Sequence, residues 1–140
     1  MNKKLLRYIG AALYVCEGTK ARRDYRGNGY IYSIELTNSD SKIIRLFSMF
    51  LKDIIEADWN RVKGQLFIYP DLDEQKLIKF WSKVSNIPQK QFQKCIMLKA
   101  KTTKFKPSPY GTFKIRYSCK EDFLKLERII DEFWRGAGVV

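Results

Sequence analysis

The chain has 140 residues, which fits one domain at roughly 150 residues per domain. Its 45% hydrophobic and 14% aromatic residues exclude a disordered or fibrous chain. The 27 Lys and Arg residues exceed the 15 Asp and Glu residues, so the formal net charge is +12. Histidine is absent, which excludes histidine-activated nucleophiles, histidine general bases and histidine-ligated zinc. We therefore expect one domain over residues 1–140, an anionic partner, and carboxylate ligands for any catalytic metal.

The positive charge is concentrated in two stretches of the chain. Residues 89–120 carry nine basic residues and no acidic one, and residues 1–30 carry seven basic and two acidic residues. An acid-free stretch of this length indicates a surface for nucleic-acid phosphates, with an ordinary solvated basic face as the alternative. The three cysteines form no C-x-x-C pair and indicate reduced thiols. The apolar run 8–16 is too short to span a bilayer, so we expect a cytoplasmic protein without membrane contact.

The first predicted element is a helix whose apolar residues recur at helical spacing. Its predicted core side consists of Leu5, Leu6, Ile9, Ala12, Leu13 and Cys16, and Gly18 is expected to end it. The opposite side is also apolar, so this helix needs cover on both sides. A hairpin is predicted next, with Gly27, Asn28 and Gly29 in its turn and a half-buried strand over residues 30–37.

Further helices and strands alternate along the rest of the chain. Residues 38–40 are expected to cap a helix that runs to Ile54, and a strand follows over 61–69. A helix is predicted over 73–87, a short strand within 93–100, a basic loop over 101–109 and a strand over 111–118. Ser118 and Glu121 have the spacing of a capping box for the last helix.

This order of elements predicts an α+β fold. Helices are expected to pack on one face of a curved, mostly antiparallel sheet. The other face carries Arg, Lys, Gln, Thr and Ser and is expected to stay exposed. A curved polar face of this kind suits the major groove of DNA.

The segment Gly10-Ala11-Ala12-Leu13-Tyr14-Val15-Cys16-Glu17-Gly18 resembles the nine-residue signature of the LAGLIDADG homing endonucleases. Thr37-Asn38-Ser39-Asp40 and the apolar helix after it resemble the next elements of that family, so the resemblance covers most of the chain. The resemblance implies the LAGLIDADG fold and, because one signature is present, a homodimer on a roughly palindromic site. The small residues Gly10, Ala11, Ala12 and Cys16 would form the dimer interface.

The resemblance also implies an activity. Family members are intron- or intein-encoded nucleases, and an acidic residue before the final glycine of the signature binds a divalent metal at the scissile phosphates. By position, Glu17 and Gly18 would form this metal site, with Mg²⁺ or another divalent cation. Asn38 and one of Lys99, Lys101 and Lys104 would be further catalytic residues, although Asn38 is more typical of a capping or turn residue.

Two features depart from the family pattern. Glu17 stands in place of the usual aspartate of the signature. In addition, the helix at 73–87 and the strand after it are expected to interrupt the pairing of the third and fourth sheet strands. A non-cleaving DNA-binding regulator and an RNA-binding maturase of the same fold are therefore the alternatives to a nuclease.

The expected contacts with double-stranded DNA lie on the hairpin and on the polar sides of the strands. These side chains would bind phosphates, and a strand arginine can also read guanine through two hydrogen bonds. For each of them the alternative is an ordinary surface position. The expected contacts are Arg22, Arg23, Arg26, Ser33, Glu35, Thr37, Arg61, Lys63, Gln65, Lys104, Lys114 and Arg116.

Overall fold

A computed structural model describes residues 1–20, 22–24, 27, 29–99 and 108–139. Within these residues the α+β class is confirmed, with four α-helices and a four-stranded mixed sheet. The helices are α1 (Lys3–Glu17), α2 (Ser41–Phe50), α3 (Glu74–Ser85) and α4 (Lys120–Gly136). The strands are β1 (Arg22–Asp24), β2 (Gly29–Ile31), β3 (Ser33–Asn38), β4 (Lys63–Ile68), β5 (Ile96–Met97) and β6 (Thr112–Ser118).

The main sheet has the strand order β3-β6-β4-β5, so the last strand of the chain lies in its interior. β6 is antiparallel to both β3 and β4, whereas β5 is parallel to β4 at the edge. The expectation that α3 and the strand after it interrupt the sheet is therefore wrong. β5 pairs with the outer side of β4, and this leaves the inner side of β4 free to pair with β6.

Two predicted strands are shorter in the structure than in the sequence pattern. The strand predicted over 30–37 divides into β2 and β3 at Tyr32, whose ring packs edge-on against Phe123 of α4 at 5.7 Å. β2 pairs with β1 in a separate antiparallel hairpin. The strand predicted from residue 61 begins at Lys63, because Trp59–Arg61 forms a 3₁₀ turn.

The N-cap of α2 is one of the predicted residues, whereas the N-cap of α4 is not the predicted one. The carboxylate of Asp40 accepts a hydrogen bond from the Lys42 amide at 2.8 Å, as a capping residue should. The predicted capping box at α4 is wrong, because Ser118 is still part of β6 and its hydroxyl donates to Ser33 Oγ at 3.2 Å. Cys119 occupies the N-cap position without a side-chain hydrogen bond.

The face of α1 that packs on the core differs from the predicted one. Leu6, Gly10, Ala11 and Tyr14 are buried, whereas Leu5 is 52% exposed and Cys16 is also exposed. A Cβ atom at Gly10 would lie 2.1 Å from a ring carbon of Phe50, so only glycine lets α1 approach α2 this closely. Because α1 is apolar nearly all round, hydrophobic spacing alone does not specify its rotation.

Tyr14 attaches the end of α1 to the start of the sheet. Its ring stacks on Phe47 at 5.7 Å, and its hydroxyl donates to the Thr19 carbonyl oxygen. The same hydroxyl accepts a hydrogen bond from the Glu35 amide at 3.3 Å. Tyr14 is therefore a core residue that fixes α1 against β3.

Over the described part of the chain, no helix combines the length and the apolar character needed to cross a membrane.

We expect Gly10→Ala to lower the free energy of unfolding by about 1–3 kcal/mol, because the added methyl group overlaps the Phe50 ring. Gly136→Ala is the matched control, since a Cβ there has no neighbour within 4 Å. It should leave stability unchanged or raise it by up to about 1 kcal/mol through helix propensity. Urea denaturation of both variants measures this, and a Gly10→Ala protein as stable as wild type would contradict the described packing.

Candidate nucleic-acid interface

Polar side chains line the sheet face that points away from the hydrophobic core. Alternation along each strand puts Leu36, Leu66 and Ile115 in the core and their sequence neighbours on the opposite face. We call this surface the polar sheet face. It consists of Ser33, Glu35 and Thr37 from β3, Lys63 and Gln65 from β4, and Thr112, Lys114, Arg116 and Ser118 from β6.

Strand register brings the charged residues of this face together. Arg116 lies directly opposite Glu35 on one side and Lys63 on the other, and Lys114 lies between Thr37 and Gln65 in the next row. Neighbouring strands are about 4.8 Å apart, so each row places polar groups within reach of one another. Three cations therefore share a small area around one carboxylate.

Glu35 is the centre of this arrangement and is almost fully buried. Its side chain is 2% exposed, and its carboxylate lies 3.1 Å from Lys114 Nζ and 3.5 Å from Arg116 Nε. The expectation of an exposed polar face therefore fails for Glu35 and for Ser33, which is 3% exposed. Both side chains bind groups of the protein itself: Glu35 forms ion pairs, and Ser33 accepts a hydrogen bond from Ser118. Thr37 is exposed.

One end of the polar sheet face is concave and basic. Arg61, Lys63 and Arg116 line this concavity together with Asn60, Gln93 and Ser118. Arg61 enters it from the 3₁₀ turn and donates from Nη2 to the Ser118 carbonyl oxygen. Asn60 and Gln93 were not predicted, because they lie in irregular segments where no periodicity marks a face.

The other residues predicted to contact DNA or to be catalytic lie in separate parts of the chain. The side-chain amide of Gln65 donates from Nε2 to the Lys94 carbonyl oxygen at 3.0 Å and so connects β4 to the segment before β5. Lys99 is exposed just beyond β5. Arg22 and Arg23 lie in β1, where the structure describes only the backbone. Predictions for Arg26, Lys101 and Lys104 lie outside the described residues.

The end of α1 holds the predicted metal ligands. Glu17 is the last residue of the helix and its side chain is exposed. The Gly18 amide donates to the Tyr14 carbonyl oxygen at 2.8 Å, and a Cβ at Gly18 would lie 2.3 Å from the Tyr14 ring. Nearby, Lys20 Nζ donates to the Val15 carbonyl oxygen at 3.0 Å. The sequence did not single out Lys20, which is a cation close to Glu17 along the chain.

A carboxylate and backbone carbonyl oxygens are donors that suit Mg²⁺. Among the described residues, however, no group of three or more Asp, Glu, Cys or His side chains could hold a metal ion. A cation held at the end of α1 would therefore need ligands beyond the side chains that the structure describes there.

Asn38 has the turn role that was one of its expected roles, whereas Asp40 is the N-cap of α2. Its side-chain oxygen accepts a hydrogen bond from the Asp40 amide at 2.8 Å, which shapes the turn before α2. Strand alternation also puts Asn38 on the same side of β3 as Leu36, away from the polar sheet face.

The predicted dimer interface is only partly available on the surface. Gly10 and Ala11 are buried against the protein's own core, so their prediction as interface residues is wrong. Ala12 and Cys16 lie on the opposite side of α1, in an apolar surface that we call the outer α1 face. This face consists of Leu5, Tyr8, Ile9, Ala12, Val15 and Cys16, which are half-buried or exposed.

Two groups have raised pKa values for identifiable reasons. Burial, followed by the nearby Glu74 carboxylate, raises the pKa of the Cys95 thiol, which therefore stays protonated near neutral pH. Burial and a hydrogen bond to Asp122 raise the pKa of Tyr117. Both groups are structural in this setting, and neither is prepared to act as a nucleophile or base.

Comparisons of the chain with protein families, with characterised proteins and with solved structures gave no match.

We expect Glu35→Gln to lower the free energy of unfolding by about 1–3 kcal/mol, because it removes the buried negative charge that pairs with two cations. Glu132→Gln is the matched control. Glu132 pairs with Arg7 at 2.8 Å, but the two side chains are 48% and 34% exposed. Its loss should cost at most about 1 kcal/mol. Equal losses in urea denaturation of the two variants would count against the central role of Glu35.

Proposed function

We propose that the chain is a double-stranded DNA-binding protein of the LAGLIDADG homing-endonuclease type. In this proposal it acts as a homodimer on a roughly palindromic site and hydrolyses phosphodiester bonds with a divalent cation. The observation that carries DNA binding is the register of β3, β6 and β4, which aligns Lys63, Lys114 and Arg116 on one face.

The charge balance of the polar sheet face supports an anionic partner. Glu35 neutralises only part of the charge of the three aligned cations, and Arg61 adds a fourth at the concave end. Phosphates bound there would relieve the repulsion among these cations. Glu35 also restricts the Lys114 and Arg116 side chains, so less conformational entropy is lost when they bind DNA.

The outer α1 face supports the homodimer. It is an apolar stripe with the small residue Ala12 near its middle, where a second helix could approach closely. The rotation set by Gly10 and Phe50 directs this stripe away from the core. If two copies pack through this stripe, each buries the outer α1 face of the other. This contact provides the cover that a helix apolar on both sides needs.

The exposed carboxylate at the end of α1 supports metal binding. An acid at a helix C-terminus faces the negative end of the helix dipole, at a cost of about 0.3–1 kcal/mol. A divalent cation held by Glu17 and the Gly18 carbonyl oxygen would offset this cost. When bound, Mg²⁺ would polarise the scissile phosphate and lower the pKa of a water molecule.

A non-cleaving DNA-binding regulator is the second candidate function. It is favoured by Glu17, which stands in place of the usual aspartate of the resembled signature. In this function the polar sheet face would bind DNA in the same way, and Glu17 would be an ordinary surface acid.

We expect DNA affinity to fall steeply with salt, because binding to phosphates releases counterions. Lys63→Ala and Arg116→Ala should each reduce the slope of log K against log salt by about one. Lys79→Ala is the matched control, since Lys79 is exposed on α3 away from the polar sheet face. Fluorescence anisotropy with duplex DNA measures the slopes, with structured RNA as competitor. A wild-type affinity that does not change with salt, or a preference for the RNA, would contradict DNA binding through this face.

We expect Glu17→Gln to abolish Mg²⁺-dependent cleavage of a selected DNA site while DNA binding and dimerisation persist. Ala12→Glu should reduce both dimerisation and cleavage, because it puts a charge in the apolar interface. Glu127→Gln, an exposed acid on α4, is the control and should cleave normally.

Cleavage is followed on gels, and dimerisation by sedimentation velocity. Cleavage that persists in Glu17→Gln would exclude the proposed metal ligand. Tight DNA binding by the wild type without any cleavage would establish the regulator instead.

A further inference from the structure

A groove lies between α2 and α3, far from the polar sheet face. It has a volume of about 600 Å³ and an apolar floor made of Leu46, Met49, Phe80 and Val84. It continues along α2 past Arg45 and Met49 and then reaches Lys52, in the π-helical turn Leu51–Ile55 that follows α2, and Trp59. From Lys42 to Phe50, the end of α2, the helix rises about 12 Å, which matches a docked helix of about two turns.

The rim of the groove is strongly basic. Lys42, Arg45 and Lys83 border the apolar floor, and Lys52 borders its continuation, where Asp53 is the acidic residue. Within the described ranges, none of Lys42, Arg45 and Lys83 forms an ion pair with a carboxylate. The rim therefore offers unneutralised cations above apolar anchors.

A buried polar group lies beneath the groove. Ser48 is 5% exposed and lies on α2 among the residues that line the continuation of the groove. Within the described residues its hydroxyl has no hydrogen-bond partner. Such groups are rare in folded proteins, because each unpaired hydroxyl carries a desolvation cost.

We propose that this groove binds an acidic amphipathic helix of a partner protein. The apolar floor would accept side chains at i, i+3 or i+4, and i+7 spacing, and acidic residues beside them would pair with Lys42, Arg45 and Lys83. Methionine suits such a surface, because its flexible side chain adapts to different apolar anchors. The charge pattern favours an acidic helix and disfavours a basic one.

The groove is independent of the proposed DNA-binding function. Its lining residues belong to α2 and α3, and none of them belongs to α1. A dimer through the outer α1 face would therefore leave it accessible. A protein bound to DNA could recruit an acidic partner by this route.

The test uses the full chain and a designed peptide of about three to four helical turns, with leucines on one helical face and glutamates elsewhere. A scrambled peptide of the same composition is the control ligand. We expect the amphipathic peptide to bind at least about tenfold more tightly than the scrambled one in fluorescence anisotropy. The double variant R45E/K83E should weaken binding of the amphipathic peptide at least about tenfold. K79E, at an exposed lysine of α3 that does not line the groove, should leave this binding unchanged.

Several results would overturn the proposal. The first is equal binding of the two peptides, and the second is unchanged binding of the amphipathic peptide to R45E/K83E. The third is a changed oligomeric state in Val84→Glu, because it would show that the groove is a contact between copies of the chain. Charge-dependent binding of phosphatidylglycerol vesicles without peptide binding would identify a lipid surface instead. Failure of DNA binding would not affect this test, and an R45E/K83E variant with the DNA affinity of wild type would separate the two surfaces.

Discussion

The close approach of α1 and α2 at Gly10 determines the geometry of the rest of the molecule. With a glycine there, Phe50 packs directly on the backbone of α1, and this contact sets the rotation of the helix. Tyr14 then lies in the core and fixes the end of α1 to β3. As a result one apolar stripe of α1 faces outward, and Glu17 projects from the end of the helix into solvent.

The second organising interaction is electrostatic. Glu35 pairs with two cations of β6, one of which, Arg116, lies opposite Lys63 of β4, so the basic face is built around a buried acid. Repulsion among aligned cations would otherwise oppose folding of this sheet. The arrangement lets the protein display a dense positive surface while the strands beneath it remain stably paired.

Much of the architecture could be predicted from the sequence, because local signals agree with the tertiary structure. The Asp40 cap and the alternation of Phe113, Ile115 and Tyr117 in β6 are examples. The rotation of α1 could not be predicted, since a helix that is apolar nearly all round has no unique buried face. The burial of Glu35 was also missed, because alternation marks a polar side but does not show which of its members are used internally.

The central position of β6 has a consequence for the order of folding. β3 and β4 do not pair with each other, and the edges that they turn toward each other are both covered by β6. Ser33 meets Ser118 across 85 residues of chain. Contacts over such separations form late, because closing a long loop loses much chain entropy. During synthesis the sheet therefore cannot close until nearly the whole chain has left the ribosome, and the edges of β3 and β4 stay open to wrong partners until then.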